Sequence, residues 1–166
     1  MKIDKIEINE IKKVNSIYEI AREYMKETNN PTQWGDKYPP LSLIEEDILS
    51  NRLYGVRDED SSLIAVFAIS NEEKAYDNCN FWHSNSPYIV IHRVASNGKV
   101  KGVTKLIFNY ALTKSNYIRI DTHKDNKTMQ KALISYGFKE CGIVFYERNN
   151  KKEERIAFDY FNTNSL

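Results

Sequence analysis

Residues 89–111, IVIHRVASNGKVKGVTKLIFNYA, restrict what this chain can fold into more than any other stretch. Ile89, Val90, Ile91, Val94 and Ala95 are apolar and mostly β-branched, which suits a central strand covered on both faces. Asn97-Gly98 ends it, because glycine accepts the positive φ of a sharp turn. From Gly102 the period changes, and Val103, Leu106, Ile107, Tyr110 and Ala111 share one helical face. A helix start leaves backbone N–H groups unpaired and carries partial positive charge, so it suits phosphate. Lys99, Lys101 and Lys105 add full charges there. Strand, glycine and helix alone fit two readings, an anion cradle or an ordinary connection with solvated lysines.

The rest of the composition narrows the class. The 166 residues are 41% hydrophobic and 28% charged, which predicts one globular domain over 1–166 with a sizeable core. A net charge of +1 favours neither nucleic acid nor an acidic membrane. No apolar run approaches the roughly 20 residues of a membrane helix, and the charged start MKIDKIEINEIKK does not read as a signal peptide. Cys79 and Cys141 show no metal spacing, so a reduced, cytoplasmic setting with two structural thiols is expected.

Periodicity supplies the other elements. Residues 2–8 suggest a short edge strand, with Asn9 capping a helix over 10–27 along Val14, Ile17, Tyr18, Ala21, Tyr24 and Met25. TNNPTQWGDKYPP, residues 28–40, is a loop. Ser42 and Glu45 form a capping-box pattern for a second helix reaching about Asn51. Leu53–Val56 and Leu63–Ile69 read as an antiparallel hairpin around DEDSS, and Asn71–Pro87 as irregular chain. Tyr117–Asp121 is a strand parallel to the one at 89–95, by the handedness of βαβ units. Asn126 caps a helix with Met129, Ala132, Leu133 and Tyr136 on its buried stripe, and Gly137 ends it. Phe138–Tyr146 and Arg155–Phe161 close the chain as a hairpin around RNNKKEE, with an edge free to pair with a partner. The expected fold is α/β (α+β mixed), order β-α-α-β-β-β-α-β-α-β-β: one mixed, mostly antiparallel sheet with helices on both faces.

Residues 89–104, then IRIDTHKDN (118–126) and ALISYGF (132–138), resemble the acetyl-CoA-binding core of the GNAT superfamily of N-acetyltransferases, and the element order matches along nearly the whole chain. The resemblance implies acetyl-CoA as acyl donor. It implies a central strand that holds the pantetheine arm and a Gln/Arg-x-x-Gly-x-Gly/Ala turn that holds the pyrophosphate. That turn falls on Lys99, Val100, Lys101, Gly102, Val103 and Thr104. Gly102 matches strictly, Lys99 keeps the basic character of the first position, and Thr104 replaces a small residue with one whose hydroxyl can donate. Asn126 matches an asparagine that reaches the cofactor. The family often protonates the departing thiolate with a tyrosine, but here that position is Leu133.

Acetyl transfer to an amine sets chemical demands. An amine of pKa about 10.4 is neutral in roughly one molecule in a few thousand at pH 7, so the site must take its proton and hold it near the thioester. A backbone N–H near Val94 is the expected oxyanion donor. His92, two residues before Val94 and so on its face of a regular strand, is a candidate base or a core histidine. His123, at the C-terminal edge where such sheets bind ligands, is a second candidate or an exposed loop residue. Asp121 could orient His123, and the two could be half a metal site, but no third ligand is visible and no metal is expected. Arg93 suits an acidic acceptor group or a salt bridge, His83 reads as a surface histidine, and Cys141 as a small hydrophobe.

The acceptor is expected to enter by loops 28–40 and 71–88, where Trp34, Tyr38 and Trp82 give aromatic surface and Asp36 and Asp77 could meet a cationic amine. The leading expectation is an N-acetyltransferase acting on a small-molecule or protein amine, as monomer or homodimer, with no nucleic-acid or membrane partner. The alternative is an acyl-CoA-binding sensor without turnover, which Thr104 and Leu133 motivate.

Overall fold

The computed structural model describes residues 1–148 and 150–163. The strands are β1 (Lys2–Lys5), β2 (Leu53–Arg57), β3 (Leu63–Ser70), β4 (Ile89–Ser96), β5 (Tyr117–Thr122), β6 (Lys139–Arg148) and β7 (Lys151–Phe161). The helices are α1 (Ile11–Glu27), α2 (Leu41–Leu49), α3 (Val103–Ala111) and α4 (Lys127–Tyr136). The element order is the expected one, with added 3-10 turns at Ile8–Glu10 and Lys74–Tyr76.

All seven strands form one sheet, ordered β1-β2-β3-β4-β5-β7-β6. Among the described residues only β4 and β5 run parallel, as the βαβ reading requires. Helices α3 and α4 cover one face, where Ile107, Phe108 and Leu133 pack on Phe67, Ile91, Ile118 and Phe158. Helices α1 and α2 cover the other, through Val14, Ile17, Tyr18, Ile44 and Ile48 against Val66, Ala68 and Ala95. No helix among the described residues is long and apolar enough to cross a membrane.

Local starts and stops differ from the expected ones in three places. Asn9 lies inside a 3-10 turn, and Glu10 precedes α1 without a side-chain cap. Ser42 and Glu45 do not box the start of α2: Pro40 takes that place in extended conformation, and its carbonyl accepts from Leu43 and Ile44. The C-terminal hairpin is longer than expected. Its strands run to Arg148 and from Lys151, so most of RNNKKEE is strand; Asn149 in that segment lies outside the described residues. Asn126 does cap α4, accepting from the Met129 N–H at 3.0 Å, and Gly137 ends it with φ +118°.

The central irregularity is in β4. Ala68 faces His92 and Val66 faces Ala95, so β4 carries one residue more than β3 between them. Arg93 adopts φ +51° there, a β-bulge in a non-glycine residue. On its other side, β4 pairs with β5 only at Ile89–Ile118 and Val90–Arg119. Beyond those pairs the two strands part.

Candidate active site

The bulge is fixed from α1 and α2. Arg93 donates twice to Asp47, Nε to Oδ2 at 2.7 Å and Nη2 to Oδ1 at 2.9 Å, and the Tyr18 hydroxyl donates to the Arg93 carbonyl at 2.9 Å. Arg93 therefore makes an ion pair, but with a helix rather than within the sheet. A bidentate buried pair of this kind holds an unfavourable backbone conformation in place. The bulge also overturns one expectation. His92 lies opposite Ala68 on the α1–α2 face, whereas Val94 packs into the α3–α4 core, so the two side chains do not share a face.

Where β4 and β5 part, a cleft of about 230 Å³ passes between them. Ile91, Val94, Ile120, Asn126 and Met129 line it toward α3 and α4. Glu73, His92, Asp121, Tyr146, Trp34 and Tyr38 line it toward the other face, together with Arg148 and the buried Arg155. The Thr122 hydroxyl on its wall is buried with no hydrogen-bond partner among the described residues. A buried orphan hydroxyl in a cleft points to a ligand that completes it.

From Val94 on the cleft wall, β4 runs on into the turn before α3. Gly98 and Gly102 have φ +76° and +81°, the Ser96 and Asn97 side chains accept from Gly98 and Lys99 N–H groups, and no side chain caps α3. A Cβ at Gly102 would meet nothing within 4 Å, so the turn is open to solvent and carries exposed Lys99, Lys101 and Lys105. This donor set fits a diphosphate, and the unladdered stretch of β4 fits an amide-bearing arm. The residues therefore fit coenzyme A. Asn126 lies in the cleft, but its side chain is shared between the α4 cap and Gln33 Oε1, 2.9 Å away.

The far side of the cleft sets Glu73 and Asp121 among aromatic rings and the guanidinium groups of Arg93, Arg148 and Arg155. Asp121 is half-buried, and its Oδ2 accepts from the hydroxyls of Tyr76 at 2.5 Å and Tyr146 at 2.6 Å. Burial pushes its pKa up while the two phenols oppose that shift. Asp121 therefore orients tyrosines, not His123. Glu73 accepts from the Ala75 N–H and stands 3.5 Å from His92 Nε2. Burial, and secondarily the Asp121 charge, raises the Glu73 pKa. Burial, with Arg93 and Arg52 nearby, pushes His92 down to about 3. The His92–Glu73 contact thus joins a neutral imidazole to a carboxylate.

The other expected site residues take separate places. His123 is outside the cleft: its Nδ1 accepts from the Asp125 N–H at 3.0 Å, which leaves Nε2 to donate to Thr32 Oγ1 at 3.3 Å. Trp34 reaches the cleft but is only 8% exposed, its ring edge-on to Tyr18. Tyr38 lies under the Arg148 guanidinium, 4.0 Å from the ring centre. Trp82 does not line the cleft; its ring packs on Tyr76 and covers the Arg119 guanidinium, 4.3 Å away, and that packing holds it elsewhere. Asp36 pairs with Lys26 at the surface, and Asp77 ends the 3-10 turn at 74–76. Leu133 is fully buried in the α3–α4 core.

Glu73, Tyr146 and Gln33 also line the cleft, without a motif to mark them. Glu73 sits in a polar segment with no period to single it out, and Tyr146 becomes visible only through strand register. Gln33 joins loop 28–40 to three elements. Its carbonyl accepts from Arg148 and Arg155, both at 3.2 Å, and its Oε1 from Asn30 and Asn126.

No protein-family profile matches the sequence, and no curated protein sequence does. Solved structures do match. A GNAT-family acetyltransferase from Streptococcus agalactiae is 26% identical with a TM-score of 0.83, over 96% of this chain and 94% of that one. A GNAT-family acetyltransferase from Listeria monocytogenes is 17% identical with a TM-score of 0.70, over 96% and 94%. A phosphinothricin acetyltransferase from Sinorhizobium meliloti, solved with acetyl-CoA, is 9% identical with a TM-score of 0.65, over 97% and 88%. The likeness spans nearly the whole chain, which has the GNAT acetyltransferase fold that its sequence suggests.

Proposed function

We propose that this chain, built on the fold of the GNAT acetyltransferases, moves an acetyl group from acetyl-CoA to an amine of a small molecule or protein. The observation that carries this reading is the cleft between β4 and β5, which opens beside Val94, on the strand that leads into the lysine-flanked turn before α3, and reaches Glu73 and Asp121 on the opposite face. Acetyl-CoA would supply the activated carbonyl as a thioester. Lys99, Val100, Lys101, Gly102, Val103 and Thr104 hold the diphosphate, and the backbone near Val94 supplies the oxyanion donor.

The chain's own residues then divide the proton work. Glu73 receives the acceptor ammonium and takes its proton, since its raised pKa makes it a better base than an ordinary carboxylate. His92 positions Glu73 and is not the base, because an imidazole whose conjugate acid has a pKa of about 3 is a poor receiver of a proton from an ammonium. Burial and the Asp121 charge push the Tyr146 pKa up, so Tyr146, which faces the cleft, fills the thiolate-protonating role that Leu133 leaves open as a relay, giving its hydroxyl proton to sulfur as it takes one from the Asp121 carboxyl, whose pKa burial raises. Trp34 and Tyr38 wall the acceptor entrance.

One observation favours a second reading, an acyl-CoA-binding protein without turnover: Leu133 is buried hydrocarbon with no proton to give. Calorimetry with acetyl-CoA followed by thiol release with a panel of primary amines decides. Binding with amine-stimulated release supports the transferase, binding without release supports the second reading, and absence of binding sinks both.

A further inference from the structure

Away from the cleft, the segment before β4 lies across the C-terminal hairpin and brings three unlike donors together. His83 Nδ1, Cys141 Sγ and a carboxylate oxygen of Asp159 lie within 4.8 Å of one another. His83 Nδ1 is 2.7 Å from Asp159 Oδ1 and 3.4 Å from Cys141 Sγ. We propose that His83, Cys141 and Asp159 bind a divalent late-transition cation of the zinc class.

Four features of the fold support this. First, Cys141 is the extra residue of a second β-bulge: Glu140 pairs with Phe158 and Gly142 with Ala157, leaving Cys141 between them. A bulge re-aims the side chain it carries. Second, Gly142 lets the preceding segment dock, because a Cβ there would sit 2.4 Å from Phe81 Cδ2. Phe81 is two residues before His83, so this contact brings the imidazole over Cys141. Third, Asp159 has the outer support expected of a metal ligand. It is 2% exposed, and its Oδ2 accepts from the Tyr117 hydroxyl at 2.7 Å and the His83 N–H at 2.8 Å. Arg119 Nε in turn donates to that hydroxyl at 3.3 Å, while its guanidinium is held between Trp82 and Tyr88. Oδ1 is left to the group containing His83. Fourth, a surface cleft reaches His83 and Asp159 beside Lys139, giving a way in and room for a water as fourth ligand.

The donor set is one sulfur, one nitrogen and one oxygen, which suits Zn²⁺ and leaves one position open. Tetrahedral coordination at ordinary bond lengths separates nitrogen from oxygen by about 3.3 Å and sulfur from nitrogen by about 3.6 Å. The nitrogen–oxygen contact of 2.7 Å must open by about 0.6 Å and the sulfur–nitrogen contact of 3.4 Å by about 0.2 Å, within the reach of small side-chain rotations. Binding displaces the Cys141 thiol proton to solvent and leaves the imidazole proton on Nε2. The cation would tie the segment before β4 to β6 and β7.

The test uses untagged full-length protein, stripped with chelator and kept reduced with a phosphine. Titration with Co²⁺ should give a near-ultraviolet thiolate-to-cobalt band that saturates at one ion per chain and is erased by Zn²⁺. Cys141→Ser should abolish the band, Cys79→Ser should keep it, and His83→Gln should weaken Co²⁺ at least tenfold. Zn²⁺ should raise the Tm of the wild type and of Cys79→Ser but not of Cys141→Ser. Absence of a thiolate band in the wild type, or a band that survives Cys141→Ser, overturns the proposal. Neither readout depends on acetyl transfer.

Discussion

Arg93 and Asp47 are locked together by two hydrogen bonds, so the bulge in the central strand is held by a helix from a distant part of the sequence. Asp47 is 1% exposed at its side chain and Arg93 13%. Removing the Asp47 charge strands Arg93 in the interior, whereas Asp47 without Arg93 would still accept from Arg52 Nε at 3.2 Å. Asp47→Asn should cost about 3 kcal/mol of stability, and amine-dependent thiol release should fall even in protein that remains folded. Urea unfolding beside a rate assay checks both, and an unchanged midpoint would show that the pair does not hold the bulge.

Gly102→Ala tests the turn before α3. No atom obstructs a methyl group there, so any effect must come from φ +81°. Forcing a residue with a Cβ into that region costs about 1–2 kcal/mol. Acetyl-CoA affinity measured by calorimetry should fall, with the acceptor KM unchanged.

Tyr146→Phe and Tyr76→Phe each remove one donor from Asp121, but only Tyr146 reaches the cleft. Both should destabilise the fold by about 1–3 kcal/mol. Tyr146→Phe alone should lower kcat by about 100-fold, leaving the acetyl-CoA KM in place. Equal kcat for the two variants would remove Tyr146 from the proton pathway.

His92 gives a pH signature. Its folded pKa of about 3 lies below the ordinary 6.5, so between those values the unfolded chain binds the extra proton. Stability attributable to His92 is therefore whole above pH 6.5 and is lost as pH falls toward 3, at no more than about 1.4 kcal/mol per pH unit. His92→Gln should flatten the fall in denaturation midpoint over that window. The rate profile above pH 6.5 should keep its shape, since His92 does not titrate there.

Gly142→Ala should destabilise the protein by about 1–3 kcal/mol through overpacking against Phe81. Phe81→Leu in the same chain should recover part of the loss. Without recovery, the glycine matters for some reason other than that ring.

Period and composition made much of the fold legible. The apolar run at 89–91, the helical face from Val103 and the cap at Asn126 all stand where their residue types place them. What escaped depends on contacts between distant segments. Arg93 carries no mark of a left-handed residue, so strict alternation put His92 and Val94 on one face; only Asp47 and Tyr18 make the bulge affordable. Ser42 looked like a cap because of Glu45, yet Pro40 already presents its carbonyl to the first turn. Asp121 was visible as a strand-end acid, but its phenol partners lie 45 and 25 residues away in sequence. Insertion of β7 between β5 and β6 is likewise a choice of register and neighbour that periodicity does not encode.

Gln33 has a mechanical consequence. Because one residue bonds Arg148 and Arg155 through its carbonyl and Asn126 through its side chain, it rivets the two lips of the opening to each other. The loop that carries it cannot swing outward without loosening the start of α4 and the end of β6 together.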